Sequence, residues 1–129
     1  MITPEVAEAI QQIRDAFPDA TVEDHEDGSG GAYVIVTPVD PGQPYQQRET
    51  WIGFRITFQY PVSDVYPHFV RPDLGRVDQQ PLGEGMSPAS FGFDNRQAIQ
   101  ISRRSNRLNP ATDTALIKLW KVLDWMASK

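Results

Sequence analysis

The chain predicts an α+β fold: an N-terminal helix, an antiparallel meander of about four strands, a long flap, and a C-terminal helix packed on the sheet. Three observations carry this expectation. Val6, Ile10, Ile13 and Phe17 recur at helical spacing near the start. Ile52, Phe54, Ile56 and Phe58 alternate as one face of a strand. Leu116, Leu119, Trp120, Leu123 and Met126 form a second helical stripe near the end.

Thr3-Pro4-Glu5 is a helix start. Threonine caps free N–H groups, proline needs no donor at the first helical position, and glutamate complements the positive helix end. Pro18 biases Phe17 toward extended backbone, so the first helix is expected over 4–16. Thr21-Val22 begins a short polar strand. Asp27-Gly28-Ser29-Gly30-Gly31 supplies glycines able to take the positive φ of a hairpin connection, and Tyr33 to Val36 is the returning strand. After the loop marked by Pro38, Pro41, Gly42 and Pro44, Thr50 to Phe58 turns its alternating face to the core.

Pro67 to Val70 is expected as a fourth strand, at an edge because proline lacks a ladder donor. Residues 72–95 are dense in proline and glycine and are expected to hold little regular structure. A loop of that length is usually functional or disordered, and Leu74, Leu82, Met86, Phe91 and Phe93 pin this one to the body. Gln97 to Ser102 reads as a short strand carrying Ile99 and Ile101. Asn109-Pro110 or Thr112 then opens the final helix.

At 129 residues, with 40% hydrophobic and 22% charged residues, the chain suits one soluble domain over 1–129. No basic-then-apolar leader is present, and no run approaches the roughly 18 apolar residues that span a bilayer. A cytoplasmic address is the expectation. With no cysteine, disulfides and thiolate-held metals are excluded, and His25 and His68 alone supply only part of a metal site. No metal or cofactor is expected. Net charge is −5, unevenly spread. Residues 1–49 hold ten acids against Arg14 and Arg48, whereas residues 50–129 hold seven acids against ten bases. Such asymmetry can steer a partner's approach without bearing on fold, and solvated faces explain it equally well.

Among the polar residues, Arg96, Arg103, Arg104 and Arg107 place four guanidinium groups in twelve residues without an acid. Their planar forks suit carboxylates and phosphates, and a solvated surface explains them equally well. Nucleic acid is not expected, because the chain is acidic and the segment has no aromatic run for stacking. His68 has an unperturbed pKa suited to acid–base work, but a lone histidine beside a turn is more often a surface or capping residue. Asp64 and Asp73 flank it as permitted partners. The Gly28–Gly31 turn, ringed by Glu23, Asp24, Glu26 and Asp27, reads as a hairpin and not as a phosphate loop. Trp120, Trp125 and Met126 read as core.

The strand ending in Phe58-Gln59-Tyr60-Pro61, the following Tyr66-Pro67-His68-Phe69, the flap, and Leu108-Asn109-Pro110 before the last helix together resemble the ubiquitin-conjugating (E2-like, UBC-like) superfamily over most of the chain. Within it the chain resembles bacterial E2-like proteins of ubiquitin-like modification operons and catalytically inactive variants such as RWD domains. Leu108 stands where many members have tryptophan. The family's His-Pro-Asn tripeptide has no counterpart, and the flap from Val77 to Phe93 lacks the acceptor cysteine. Ser87 and Ser90 lie in that flap, but a serine hydroxyl is a weak nucleophile without a base.

The resemblance therefore implies a non-catalytic binding or scaffold component of a bacterial ubiquitin-like conjugation pathway. Its partners would be a ubiquitin-like modifier, an E1-like activating protein, or both, with no nucleic acid and no membrane. The implied contact surfaces are the Tyr60–Phe69 turn region, the flap and the Arg96–Arg107 segment. Their binding residues are Tyr60, Pro61, Tyr66, His68, Arg96, Arg103, Arg104 and Arg107, and none is catalytic. The alternatives are an active conjugating enzyme, with its cysteine replaced near Ala89 or Ser90 or with Ser90 as acceptor, and a small acidic chaperone or immunity-type binding protein.

Overall fold

A computed structural model describes residues 1–129. The elements run α1 (Pro4–Ala16), β1 (Thr21–Glu26), β2 (Ala32–Val39), β3 (Thr50–Ile56), β4 (His68–Val70), β5 (Met86–Phe91), β6 (Arg96–Ile101) and α2 (Ala115–Ala127). Six strands form one antiparallel sheet in the order β1-β2-β3-β4-β6-β5. The first four follow chain order, as a meander does. The β5–β6 hairpin then folds back so that β6, not β5, continues the sheet beside β4.

One face of the sheet carries the main core. Val34 and Val36 of β2, Ile52, Phe54 and Ile56 of β3, Val70 of β4 and Ile99 and Ile101 of β6 are buried there. They pack with Val6, Ala9, Ile10 and Ile13 of α1 and with Ala115, Leu119, Val122 and Met126 of α2. The first helix forms where its local signals place it, with Thr3 Oγ1 accepting the Val6 N–H at 3.1 Å and Pro4 in the first turn.

The opposite face has no helix over it and closes by aromatic packing. Ile35, Phe91 and Ala98 are buried among Tyr33, Trp51, Phe69 and Phe93. Arg55 and Arg96 lie over the Tyr33 and Trp51 rings at 5.5 and 5.0 Å. Gly53 sits beneath Phe91, whose ring would be 2.9 Å from any added Cβ.

Several expectations are corrected. The sheet has six strands where about four were expected, because Met86–Phe91 within the expected flap pairs fully with Arg96–Ile101. Pro88 is tolerated there because β5 is an edge. Conversely, β4 is interior, since Pro67 precedes the ladder and removes no donor from it. β3 ends at Ile56, so Phe58 leaves the alternating face and is 54% exposed. The last helix starts at Ala115 under a Thr114 cap, because Asn109 to Asp113 close a separate turn first. Its buried row is Ala115, Lys118, Leu119, Val122 and Met126, leaving Trp120 47% exposed.

Candidate functional site

The polar centre of the molecule lies where three segments meet: the turn after β3, the segment after β6, and one face of α2. Lys118 occupies a core position on α2 and is only 7% exposed. Burying an ammonium is costly unless it is fully partnered. Here Nζ donates to both Asp64 carboxylate oxygens at 3.1 Å and to Ser105 Oγ at 2.8 Å, which uses all three of its donors. The Ser105 hydroxyl in turn donates to Asp64 Oδ1 at 2.8 Å, and the Ser105 N–H donates to Oδ2 at 2.7 Å. Burial alone raises the Asp64 carboxyl, but the Ser105 and Lys118 donors outweigh it and hold the group below the usual carboxylate range.

This arrangement resembles a nucleophile with its base only in composition. An ammonium with three occupied donors has no lone pair to accept the serine proton, and a carboxylate held below its usual range is a poor base. The triad ties the turn, the post-strand segment and the helix together. The space between Asp64, Tyr60 and Ile117 is about 20 Å³, room for about one water and no substrate.

Beyond Lys118 the surface opens into a cleft of about 280 Å³ lined by Arg103, Arg104, Ser105, Lys121, Val122 and Trp125. The Arg103 guanidinium lies 4.8 Å from the Trp125 ring centre, and that of Arg104 lies 4.2 Å from Tyr66. Neither makes an ion pair. Arg71, Arg76 and Arg96, by contrast, each bind an aspartate two residues away, Asp73, Asp78 and Asp94.

Of the residues expected to bind, Tyr66, Arg103 and Arg104 come together at this cleft. Tyr60 lies behind it, its hydroxyl accepting the Ala115 N–H at 3.0 Å in the first turn of α2, with burial pushing the phenol up despite that bond. Pro61 is half-buried in the same turn, after a cis bond to Tyr60. Arg107 is exposed and unpaired, in the left-handed region at φ 57°. Arg96 is separate, at the far end of β6, held by Asp94 and stacked on Trp51.

His68 is neither a surface residue nor a working acid or base. It is completely buried, 5.0 Å from the Phe54 ring, with both ring nitrogens unpartnered. Burial, reinforced by the Lys118 charge and opposed by Asp64, pushes its pKa down to about 3. It stays neutral and cannot touch a partner. Asp64 serves Lys118 and Ser105 and not His68, and Asp73 pairs with Arg71.

Sequence reasoning missed Ser105, Lys118, Lys121 and Trp125 as site residues. One signal was present: Lys118 interrupts an otherwise apolar row from Ala115 to Met126 at helical spacing. His25 stacks on Phe93 at 4.1 Å, and no three histidines or acids gather where they could hold a metal. No helix is long and apolar enough to cross a membrane. No protein-family model, curated protein or solved structure matches the chain.

Proposed function

We propose that this chain is a non-catalytic binding component of a ubiquitin-like conjugation pathway, an E2-like domain that holds a modifier or its activating protein without carrying it. The observation that carries the reading is the pairing of a disarmed hydroxyl with free cations. Ser105 is fixed between Asp64 and Lys118, while Arg103 and Arg104 beside it face solvent with no carboxylate partner. The chain has no cysteine for a thioester, and neither Ser87 nor Ser90 on β5 is hydrogen-bonded to a base. Support for the family likeness comes from α1 followed by the β1–β4 meander and the Tyr60-Pro61 break after β3.

Calorimetric titration against ubiquitin-like modifiers and E1-like activating proteins tests this reading. Association tighter than about 100 µM is expected, with no mass adduct on this chain when ATP is added. Absence of binding to both classes of protein, or a covalent modifier adduct on Ser87, Ser90 or Ser105, would overturn it.

A further inference from the structure

We infer that the cleft between residues 103–106 and α2 is a site for a phosphate dianion, presented as the monoester of a protein partner's phosphorylated side chain or taken up as free inorganic phosphate. The inference goes beyond the conjugation reading and does not depend on it.

Charge comes first. Arg103, Arg104, Lys118 and Lys121 line the cleft, Asp113 is its only acid, and Asp64 neutralises Lys118 from behind. Two positive charges are left in excess. A phosphate monoester brings about −1.5 to −2 at neutral pH, whereas a single carboxylate brings about −1. The dianion is the better match.

Geometry agrees. The Arg103 and Arg104 guanidinium carbons lie over the Trp125 and Tyr66 rings at 4.8 and 4.2 Å, which anchors both groups beside the cleft, and neither N–H set is taken up by a carboxylate. Those N–H groups are what bidentate recognition of a phosphate uses. Arg14, Arg55, Arg71, Arg76 and Arg96 are each neutralised by an aspartate, whereas Arg103 and Arg104, like the separate Arg48 and Arg107, have no such partner, and of those four only Arg103 and Arg104 line the cleft. Lys118, held by three bonds, gives the cleft a rigid floor.

Size suits a small anionic group. At about 280 Å³ the cleft lies just below the usual range for whole small molecules, about 300 to 1,000 Å³. A base has no platform either, since Arg103 and Lys129 both lie within 5 Å of the Trp125 ring. What fits is one anionic group with a short stem.

The test uses the full chain at about 50 mM salt, where screening is weak. Inorganic phosphate, a phosphoserine peptide and its unphosphorylated twin are titrated separately while amide and indole resonances are followed, with Trp125→Phe assigning the indole signal. Phosphate is expected to shift the Trp125 indole and the 103–106 amides with a Kd below about 10 mM. The unphosphorylated peptide should leave them unmoved. A phosphopeptide about tenfold tighter than phosphate assigns the site to a partner's side chain, and equal affinity assigns it to free phosphate. Arg103→Gln with Arg104→Gln should abolish the shifts while the fold is kept, with the melting temperature lowered only by the loss of two exposed cation–π contacts, and Lys121→Gln should weaken them severalfold. No saturable shift with either phosphate probe, equal binding of the two peptides, or full binding by the double variant would overturn the inference. Loss of modifier and activating-protein binding with phosphate still bound would remove the conjugation reading and leave this one standing.

Discussion

His68 is held in the core against its own chemistry. A buried nitrogen without a partner costs about 1 to 3 kcal/mol, whereas an apolar side chain of similar volume carries no such cost. His68→Leu is therefore expected to raise the unfolding free energy at pH 7 by about 1 kcal/mol, read from urea denaturation. The pH dependence has a definite sign. The folded pKa lies near 3 and the unfolded one near 6.5, so the unfolded chain takes up the proton first as pH falls. Stability is complete above pH 6.5 and is lost progressively between 6.5 and 3. Between pH 6.5 and 5, above the carboxylate range, the loss should be about 2 kcal/mol. His68→Leu should flatten that interval, and an unchanged slope would show that another group titrates there. Lys118 is the converse case, a buried charge that is fully bonded. Lys118→Met strips Asp64 of its cation and Ser105 of a donor, and because the Asp64 side chain keeps 20% exposure the cost is expected near 2 kcal/mol, below that of a fully buried pair. Restoring neutrality with Asp64→Asn in the same chain should recover part of it.

At the scale of elements, the two sheet faces constrain each other through β3. Ile52, Phe54 and Ile56 point into the helix-covered core, and Gly53 between them lets the Phe91 ring settle on the bare face. Gly53→Ala pushes into a buried ring, so a loss of about 1 to 3 kcal/mol is expected. Phe91→Leu should relieve that clash, making the double variant less damaged than the separate costs imply; full additivity would sink the contact. What was legible follows the range of the signals. The 4–16 helix was readable because its cap, proline and apolar row all lie within its own residues. β5 was hidden because Pro88 and the surrounding glycines look like loop, and only pairing with β6 makes Met86–Phe91 a strand. The last helix was read one step around its axis: Leu116, Trp120 and Leu123 make the more hydrophobic row, while the buried row uses small Ala115 and includes Lys118. Composition finds Leu119 and Met126 but adds the exposed Trp120 and passes over Ala115, Lys118 and Val122, and only packing against the sheet decides which side is fully buried.

For the molecule as a whole, the charge asymmetry becomes spatial. Glu23, Asp24 and Glu26 lie along the outer β1 edge, where charges discourage pairing with another chain, and Arg103 and Arg104, which make no ion pair, lie at the α2 cleft. The arginine half of that cleft was visible in sequence because Arg103, Arg104 and Arg107 are neighbours. Its supporting half was not, since Asp64 meets Ser105 and Lys118 across separations of 41 and 54 residues. No local pattern encodes such a meeting. On the bare aromatic face Arg55 and Arg96 lie over rings and are each paired with an aspartate, whereas Arg103 and Arg104 at the cleft have no ion pair. The decisive measurement is a backbone amide chemical-shift titration of the labelled chain with the unlabelled ubiquitin-like or activating protein proposed as its partner. Saturable shifts centred on residues 60–66, 103–107 and 118–125, lost on Arg103→Gln with Arg104→Gln, are the predicted result. Shifts confined to β1, or to the Tyr33, Trp51 and Phe93 face, would contradict binding through the cleft.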